Sequence, residues 1–230
     1  MHTERKKMDD ATVYVVDDDA AFRASLGWFL ESLGKTFELC SSAEQFLEIY
    51  DPDRVGCLVL DFRLPGMSGI ALLETLRERE SCLPAIVLTA HAETTLAVRA
   101  LKLGAFDFLE KPFDHTFTDR ICTAIAAHER ALHAQRLITS SQQKLATLTK
   151  REREVMSMVV QGEANKVIAY ELGLSEKTIE VHRARVMQKL KVASLAELVR
   201  FDLTATCTPW AYRPMAAQEA HRFGTAAFAA

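Results

Sequence analysis

The sequence lacks a long apolar run, a secretory leader and a regular set of cysteines, and each absence excludes a class of protein. No stretch approaches 18 consecutive apolar residues, so we expect no membrane span. Residues 1–10 include the basic run Arg5, Lys6 and Lys7 but lead into no apolar segment, which argues against a secretory signal. The five cysteines are odd in number and at least 17 residues apart, which fits neither a disulfide framework nor a zinc cluster. We therefore expect a cytoplasmic protein with reduced thiols.

The charge of the chain is divided unevenly between its two halves. Residues 1–125 hold 13 Lys and Arg against 21 Asp and Glu, whereas residues 126–230 hold 15 against 10. The overall net charge of -3 therefore combines an acidic half with a basic half. Acidic clusters bind metal ions and basic surfaces meet phosphate backbones. The asymmetry predicts two domains with different partners.

Short apolar runs alternate with amphipathic segments in the first half. Three of the runs are nearly all apolar, as in strands that are covered on both faces. Five repeats of strand then helix predict an α/β fold with a doubly wound parallel sheet. The predicted strands are 13–16, 37–40, 57–60, 85–88 and 106–108, and the predicted helices between them are 20–33, 42–50, 69–79 and 93–103.

Five polar residues follow or end predicted strands. Asp17 and Asp18 follow the first strand, Asp61 follows the third, Thr89 ends the fourth and Lys111 follows the fifth. In the flavodoxin-like strand order, ligands bind at the carboxyl ends of strands one and three, so these side chains should converge. Converging carboxylates need a cation such as Mg²⁺, and an Asp carboxylate can itself accept a phosphoryl group. The set predicts a phosphoryl-transfer site.

The same residues lie in segments that resemble the receiver domain of two-component response regulators. The segments are VVDDD at 15–19, LDFRLPGMSG at 60–69, LTA at 88–90 and EKPF at 110–113. The resemblance implies that Asp61 accepts a phosphoryl group from a histidine kinase. It also implies that Mg²⁺ is held by Asp17, Asp18, Asp61 and the main-chain carbonyl of Arg63. Thr89 and Lys111 would bind the phosphoryl oxygens.

The resemblance carries further expectations for the switch. It couples Thr89 to Phe108 on the fifth strand, although Phe108 also reads as an ordinary core aromatic, and both roles stay open. Arg63 and His91 match positions that tune the lifetime of the phosphoryl group. The Lys111–Pro112 bond is often cis in this family.

The second half is helical in pattern and contains a helix-turn-helix signature. Thr149 and Glu152 form a capping box, a short helix covers 165–172, and Ser175 can cap a longer helix that reaches Leu190. A fourth helix is predicted at 194–203. Between the halves, residues 114–145 predict one helix with Ile121, Ile125, Leu132 and Leu137 on its apolar stripe and a break near 139–141.

The third helix of this group has the character of a DNA-recognition helix. Ile179, Val186 and Leu190 should face the core. A recognition helix reads bases with its N-terminal part while flanking polar groups hold phosphates. We predict base contacts from Lys177, Val181 and Ala184, and backbone contacts from Lys166, Thr178, His182, Arg183, Arg185 and Lys189. A solvated cationic helix, and a packed or capping His182, are the alternatives.

About 55 residues of this half closely resemble the LuxR-type helix-turn-helix domain, and the combination resembles the FixJ/NarL class of transcriptional response regulators. We predict a receiver at 10–125, a helical linker at 126–145, an all-α four-helix domain at 146–205 and a disordered tail at 206–230. Promoter DNA, a sensor histidine kinase, a second copy on phosphorylation and RNA polymerase are the implied partners.

Two other functions remain open at this point. A receiver that docks on DNA without phosphorylation would use the same domains. A Mg²⁺-dependent phosphatase of the haloacid-dehalogenase type would use an Asp-x-Asp after the first strand. That phosphatase family wants Thr or Val where Ala21 stands, and it leaves Asp61 and the basic half unexplained.

Overall fold

The computed structural model describes residues 11–90 and 94–207, which form two compact units that divide between Leu132 and His133. Five parallel strands of the first unit lie in the order β2-β1-β3-β4-β5. The strands are β1 (Thr12–Val16), β2 (Thr36–Cys40), β3 (Gly56–Leu60), β4 (Ala85–Thr89) and β5 (Asp107–Glu110). The helices are α1 (Ala20–Ser32), α2 (Ala43–Ile49), α3 (Gly69–Glu78), α4 (Thr94–Leu103) and α5 (Thr116–Ala146). The predicted flavodoxin-like doubly wound sheet is confirmed.

Burial on both faces explains the unbroken apolar runs. Every residue of β1, β3 and β4 is buried. Tyr14 and Leu58 belong to the core on one face of the sheet, whereas Val13 and Val59 belong to the core on the other. The edge strand β2 alternates between exposed and half-buried positions before Cys40. The central strands therefore follow the prediction for a parallel sheet that is covered by helices.

Side-chain caps set where the helices around the sheet begin. Asp19 accepts hydrogen bonds from the amides of Ala21 and Phe22 at the start of α1. Ser42 and Ser68 cap α2 and α3 in the same manner. Each cap satisfies amides that have no partner within the helix. The first of these caps places α1 directly after Asp17 and Asp18, the acidic pair that follows β1.

Helix α5 departs from the expected pattern at two points. It runs without interruption through residues 139–141, so the predicted break is wrong. Ser and Thr cost a helix only about 0.5 kcal/mol per residue, which packing elsewhere on the helix offsets. Leu137 is 50% exposed and Ile138 is buried in its place, so the predicted position of Leu137 on the apolar stripe is wrong by one residue.

His128 attaches α5 to the amino end of β3. Its imidazole is completely buried, and its Nδ1 accepts a hydrogen bond from the Gly56 amide at 3.0 Å. Burial lowers the pKa of His128 to about 4. The ring is therefore neutral at pH 7, with its proton on Nε2. A side chain at Gly56 is excluded because its Cβ would lie 2.1 Å from the Thr12 carbonyl oxygen.

Beyond the end of α5, the second unit contains the expected four-helix domain. Its helices are α6 (Lys150–Val160), α7 (Asn165–Leu172), α8 (Glu176–Leu190) and α9 (Leu195–Thr206). The capping box of Thr149 and Glu152 is present, and Ser175 caps α8. Gly173 ends α7 with a φ of 64°, a left-handed conformation that glycine adopts without steric cost. Ile179, Val186 and Leu190 are buried together in the core of the unit, as predicted.

Two expectations concern residues beyond the described ranges. His91 lies outside them, and so does the predicted tail after Cys207. Across residues 11–90 and 94–207, no helix is both long enough and apolar enough to cross a membrane.

Candidate functional site

Three carboxylates meet at the carboxyl ends of β1 and β3, which are neighbours in the sheet. Asp17 and Asp18 follow β1, and Asp61 follows β3. Each carboxylate offers an oxygen that lies within 4.8 Å of the others. Asp17 is 2% exposed, whereas Asp18 is open to solvent. The expected convergence of the three acids is present, and their oxygen-only donor set is compatible with Mg²⁺.

Lys111 lies between two of these acids. Its Nζ is 2.5 Å from Asp17 Oδ2 and 2.5 Å from Asp61 Oδ2. The same ammonium lies 4.0 Å from the ring centroid of Phe22, which adds a cation–π contact. The Lys111–Pro112 bond that follows is cis. A positive charge at this point offsets the repulsion between the two carboxylates.

The pKa values of Asp17 and Lys111 are both shifted, and in each group burial and hydrogen bonding act in opposite directions. Burial raises the pKa of Asp17, although the hydrogen bond from Lys111 opposes that effect. Burial also disfavours the charged form of Lys111, but hydrogen bonds to Asp17 and Asp61 outweigh it, so the pKa of Lys111 is raised. Lys111 is therefore charged at neutral pH.

Backbone groups orient the acids. Asp17 Oδ1 accepts a hydrogen bond from the Asp19 amide at 2.9 Å, and Asp61 Oδ1 accepts one from the Arg63 amide at 3.0 Å. Arg23 donates to the main-chain oxygen of Asp17 at 2.6 Å. In each carboxylate, Oδ2 is the oxygen that meets Lys111. Sequence reasoning missed Arg23 and Phe22, which could have been sought on the first turns of the helix that directly follows the acids.

The segment after Asp61 turns tightly against the site. The Gly69 amide donates to the Phe62 carbonyl oxygen at 3.3 Å, and a Cβ at Gly69 would lie 2.5 Å from the Asp61 carbonyl oxygen. This close approach requires glycine. The side chain of Arg63 is exposed, so the predicted contribution of this residue rests on its main chain.

Thr89 and Phe108 occupy the neighbouring strands. Thr89 is the last residue of β4 and is buried. Phe108 pairs in register with Val87 and is partly buried against the core that contains it. The reading of Phe108 as a core aromatic is confirmed by this packing. Its role as a gate stays a prediction.

On α8, the predicted base-contacting residues lie opposite the core. Lys177, Val181 and Ala184 are exposed, and so is Arg185 beside them. Lys166 is exposed at the start of α7. Lys177 and Glu180 form an ion pair at 3.2 Å on this surface, where such pairs are worth little. Lys177, Val181, Ala184 and Arg185 therefore all face solvent on α8.

Four of the predicted backbone contacts are partly buried or bonded within the domain. Arg183 donates to Asn165 Oδ1 at 2.6 Å, and Lys189 donates to Glu152 Oε2 at 2.6 Å. The Thr178 hydroxyl is 2.8 Å from that of Ser175 at the helix cap. His182 is partly buried, and within the described ranges its buried Nδ1 has no hydrogen-bond partner.

The Lys189 pair belongs to the domain's own framework. Glu152 is buried, and its carboxylate also accepts a hydrogen bond from the Thr149 amide at 2.8 Å. The hydrogen bond from Lys189 is the main cause that lowers the pKa of Glu152 to about 2. Lys189 therefore connects the end of α8 to the capping box of α6.

Tyr170 was missed by the sequence reasoning. It is 89% exposed on α7, in a domain whose other large apolar side chains mostly form its core. It lies four residues after Lys166, so both occupy one side of the helix. That spacing, together with its absence from the apolar stripe of α7, was the signal that could have found it.

Comparison with known families agrees with this architecture. Residues 13–126 match the model of the response regulator receiver domain. Residues 146–201 match the model of the bacterial regulatory proteins of the luxR family. The first match contains the acidic site and the second contains α6, α7 and α8.

Similar proteins combine the two domains in the same order. The transcriptional regulatory protein FixJ of Azorhizobium caulinodans is 45% identical over 205 residues, which cover 86% of this chain and 94% of that protein. FixJ of Rhizobium meliloti is 43% identical over 206 residues, which cover 88% and 100%. The solved structure of the response regulator StyR matches with a TM-score of 0.76 and 42% identity, covering 84% of this chain and 98% of StyR.

The sheet with its acidic edge and the helix-turn-helix domain define a receiver joined to a DNA-binding domain. The chain belongs to the FixJ/NarL class of two-component response regulators. It is a transcriptional regulator, with a histidine kinase and DNA as the partners that its two domains imply. The haloacid-dehalogenase-type phosphatase finds no support in these matches.

Proposed function

We propose that Asp61 accepts a phosphoryl group from a sensor histidine kinase and that this modification controls DNA binding by the second domain. The observation that carries the proposal is the position of Lys111, 2.5 Å from both Asp17 and Asp61 at the sheet edge where three carboxylates converge. An aspartate that only forms a turn does not need a shared ammonium and two further acids beside it. A phosphoryl acceptor uses the acids to hold Mg²⁺ and the ammonium to bind phosphoryl oxygens.

In the reaction, an Asp61 oxygen attacks the phosphorus of the kinase phosphohistidine. The new P–O bond forms as the P–N bond breaks, and the electron pair leaves with the imidazole nitrogen. Asp17, Asp18, Asp61 and the Arg63 carbonyl are proposed to hold Mg²⁺, which would neutralise charge on the transferred group. Lys111 and the Thr89 hydroxyl would bind the phosphoryl oxygens. Attack by water on the phosphorus would restore Asp61 and release phosphate.

The proposed switch passes from this site to DNA through a second copy of the chain. Phosphorylation would pull Thr89 inward, alter the packing of Phe108, and favour a receiver dimer built on α4, β5 and α5. Two recognition helices then meet one promoter, which multiplies the phosphate contacts and raises occupancy. We further propose that this regulation takes place in the cytoplasm and involves contacts with RNA polymerase at the promoter.

The exposed residues of the second domain support a specific DNA surface. We propose that Lys177, Val181 and Ala184 contact base edges, whereas Lys166 and Arg185 hold phosphates. Four other residues are weaker candidates for phosphate contacts, because they are partly buried or already bonded inside the domain. They are Arg183, Lys189, Thr178 and His182. Tyr170 joins Lys166 as a candidate contact on α7.

Sedimentation velocity with beryllofluoride, which mimics an aspartyl phosphate, tests the proposal. The wild type should change from monomer to dimer when Mg²⁺ and beryllofluoride are added together. Asp61→Asn should remain a monomer under the same conditions. A wild type that stays monomeric and shows the same DNA affinity with and without beryllofluoride would instead support a phosphorylation-independent docking module.

A further inference from the structure

Glu44, an acidic residue on α2, reaches out of its own helix to the segment that follows the phospho-acceptor. Its Oε1 accepts a hydrogen bond from the Met67 amide at 3.0 Å. The contact spans 23 positions of sequence, so it joins two separate elements. It also lies at a tight turn, because Gly66 has a φ of 74° and a Cβ there would lie 3.0 Å from the same oxygen.

The segment held in this way, residues 61–68, contains two of the proposed metal-binding groups. It begins with the Asp61 carboxylate and continues through the Arg63 carbonyl. Its start is set by the hydrogen bond from the Arg63 amide to Asp61 Oδ1, and its end by the Ser68 cap of α3. Between these points, Glu44 supplies a contact from outside the segment.

The carboxylate of Glu44 is well suited to this contact although it is exposed. Backbone amides donate to it, first its own and then that of Met67, and they lower its pKa. A hydrogen bond from an amide to a charged acceptor is stronger than one to a neutral acceptor. A glutamate on a solvated helix face would have no such partner.

We propose that Glu44 is a positioning residue for the phosphoryl-transfer site, which holds residues 61–68 in the shape that binds Mg²⁺. This rests on the proposed function and adds a residue from α2 to its machinery. Glu44 touches neither the metal nor the phosphoryl group. It acts through the Met67 amide on the main chain that carries the Arg63 carbonyl.

The test uses the full chain and three variants. Glu44→Ala removes the acceptor, Glu44→Gln keeps an oxygen at the same place, and Glu48→Ala removes an equal charge from the exposed side of α2. Calorimetric titration with MgCl₂ measures metal affinity. Hydrogen exchange of the Met67 amide, recorded without metal, measures the contact itself, and thermal melting monitors the fold.

In Glu44→Ala, Mg²⁺ should bind about 10-fold more weakly, the lower end of the effect of groups that orient metal ligands. The Met67 amide should exchange about 10-fold faster, because it loses its protecting partner. Glu44→Gln should restore both readouts to within about 3-fold of wild type, since its amide oxygen still accepts. Glu48→Ala should resemble wild type in both.

Equal Mg²⁺ affinities in Glu44→Ala and Glu48→Ala would overturn the proposal, and so would a Glu44→Gln variant as weak as Glu44→Ala. A lower melting temperature in Glu44→Ala with unchanged metal affinity would show a structural role only, which also overturns it. A wild type that binds no Mg²⁺ would overturn the proposed function as well. The wild-type titration therefore separates the two failures.

Discussion

The acidic site and the recognition helix present their cations in opposite ways. The side chain of Lys111 is 13% exposed and contacts two carboxylates, whereas that of Lys177 is 85% exposed and meets one solvated glutamate. A small anion and a metal ion need groups whose positions are set before binding, because a misplaced charge cannot be compensated by other contacts. A DNA surface gains its partners on binding and can leave its side chains mobile until then.

Cations in the molecule also differ in role, because some stabilise the fold whereas others are exposed and can bind a ligand. Lys189 carries the same charge as Lys177 and lies on the same helix, yet its partner is the buried Glu152. Its removal should cost stability, and removal of an exposed cation should cost affinity. The predictions below test that distinction, from the largest expected effect to the smallest.

Substitution Lys111→Ala should affect two ligands in opposite directions. Beryllofluoride with Mg²⁺ should bind about 100-fold more weakly, the effect of removing one donor to a developing anion. Mg²⁺ alone should bind more tightly, since a competing cation between Asp17 and Asp61 is gone. Calorimetric titration measures both affinities. The control is Arg77→Ala, which removes an exposed cation from α3. Beryllofluoride binding within about 3-fold of wild type in Lys111→Ala would refute the role of Lys111.

His128 should make the receiver sensitive to acid. Its pKa falls from 6.5 to about 4 on folding, because burial penalises the charged ring. Between about pH 4 and 6.5, His128 is therefore protonated in the unfolded chain but not in the folded chain. The stabilisation is complete above about pH 6.5 and is lost as the pH falls towards 4, by about 3 kcal/mol.

Urea unfolding of the full chain at pH 4 to 7.5, followed by hydrogen exchange of receiver amides, measures this loss. His128→Gln should remove most of the pH dependence, since Gln can accept the Gly56 hydrogen bond without titrating. The exposed His133, five residues later on the same helix, provides the control His133→Gln. An unchanged slope in His128→Gln would assign the acid sensitivity to other groups.

Glu152→Gln should destabilise the second domain by about 2 kcal/mol, because it removes the charge of a buried carboxylate that accepts hydrogen bonds from Lys189 and the Thr149 amide. The pKa of Glu152 is lowered to about 2 from 4.5, so its stabilisation is present above about pH 4.5 and lost as the pH falls towards 2. Chemical unfolding at pH 7 and pH 3 measures both effects. Glu154→Gln, which breaks an exposed pair with Arg151, should change stability by less than about 0.5 kcal/mol.

Patterns of sequence predicted the elements of the fold but not the long-range pairs. Apolar runs located the five strands, and Thr149, Glu152 and Ser175 located two helix starts, because these signals are local. The break in α5 was wrong because the weak helix preference of Thr and Ser was weighed without the packing of the surrounding turns.

The acidic site could be predicted because topology brings strand ends together whatever their separation in sequence. Contacts that depend on side-chain conformation could not be predicted in this way. Glu44 meets Met67 and Lys189 meets Glu152 through rotamers that no periodic pattern specifies. For the same reason, the sequence could not divide the cations of α8 into bonded and exposed ones.

A comparison of Arg185 with Lys189 tests the difference between exposed cations of α8 and cations that are bonded inside the domain. Arg185→Ala should lower affinity for duplexes of any sequence and reduce the slope of log affinity against log salt by about 0.9, because one phosphate contact is lost. Lys189→Ala should leave the slope unchanged while it lowers the stability of the domain. Fluorescence anisotropy with a labelled duplex at several salt concentrations gives both slopes. An equal reduction in the two variants would mean that Lys189 exchanges Glu152 for a phosphate on binding, and that the bonded cations also belong to the DNA surface.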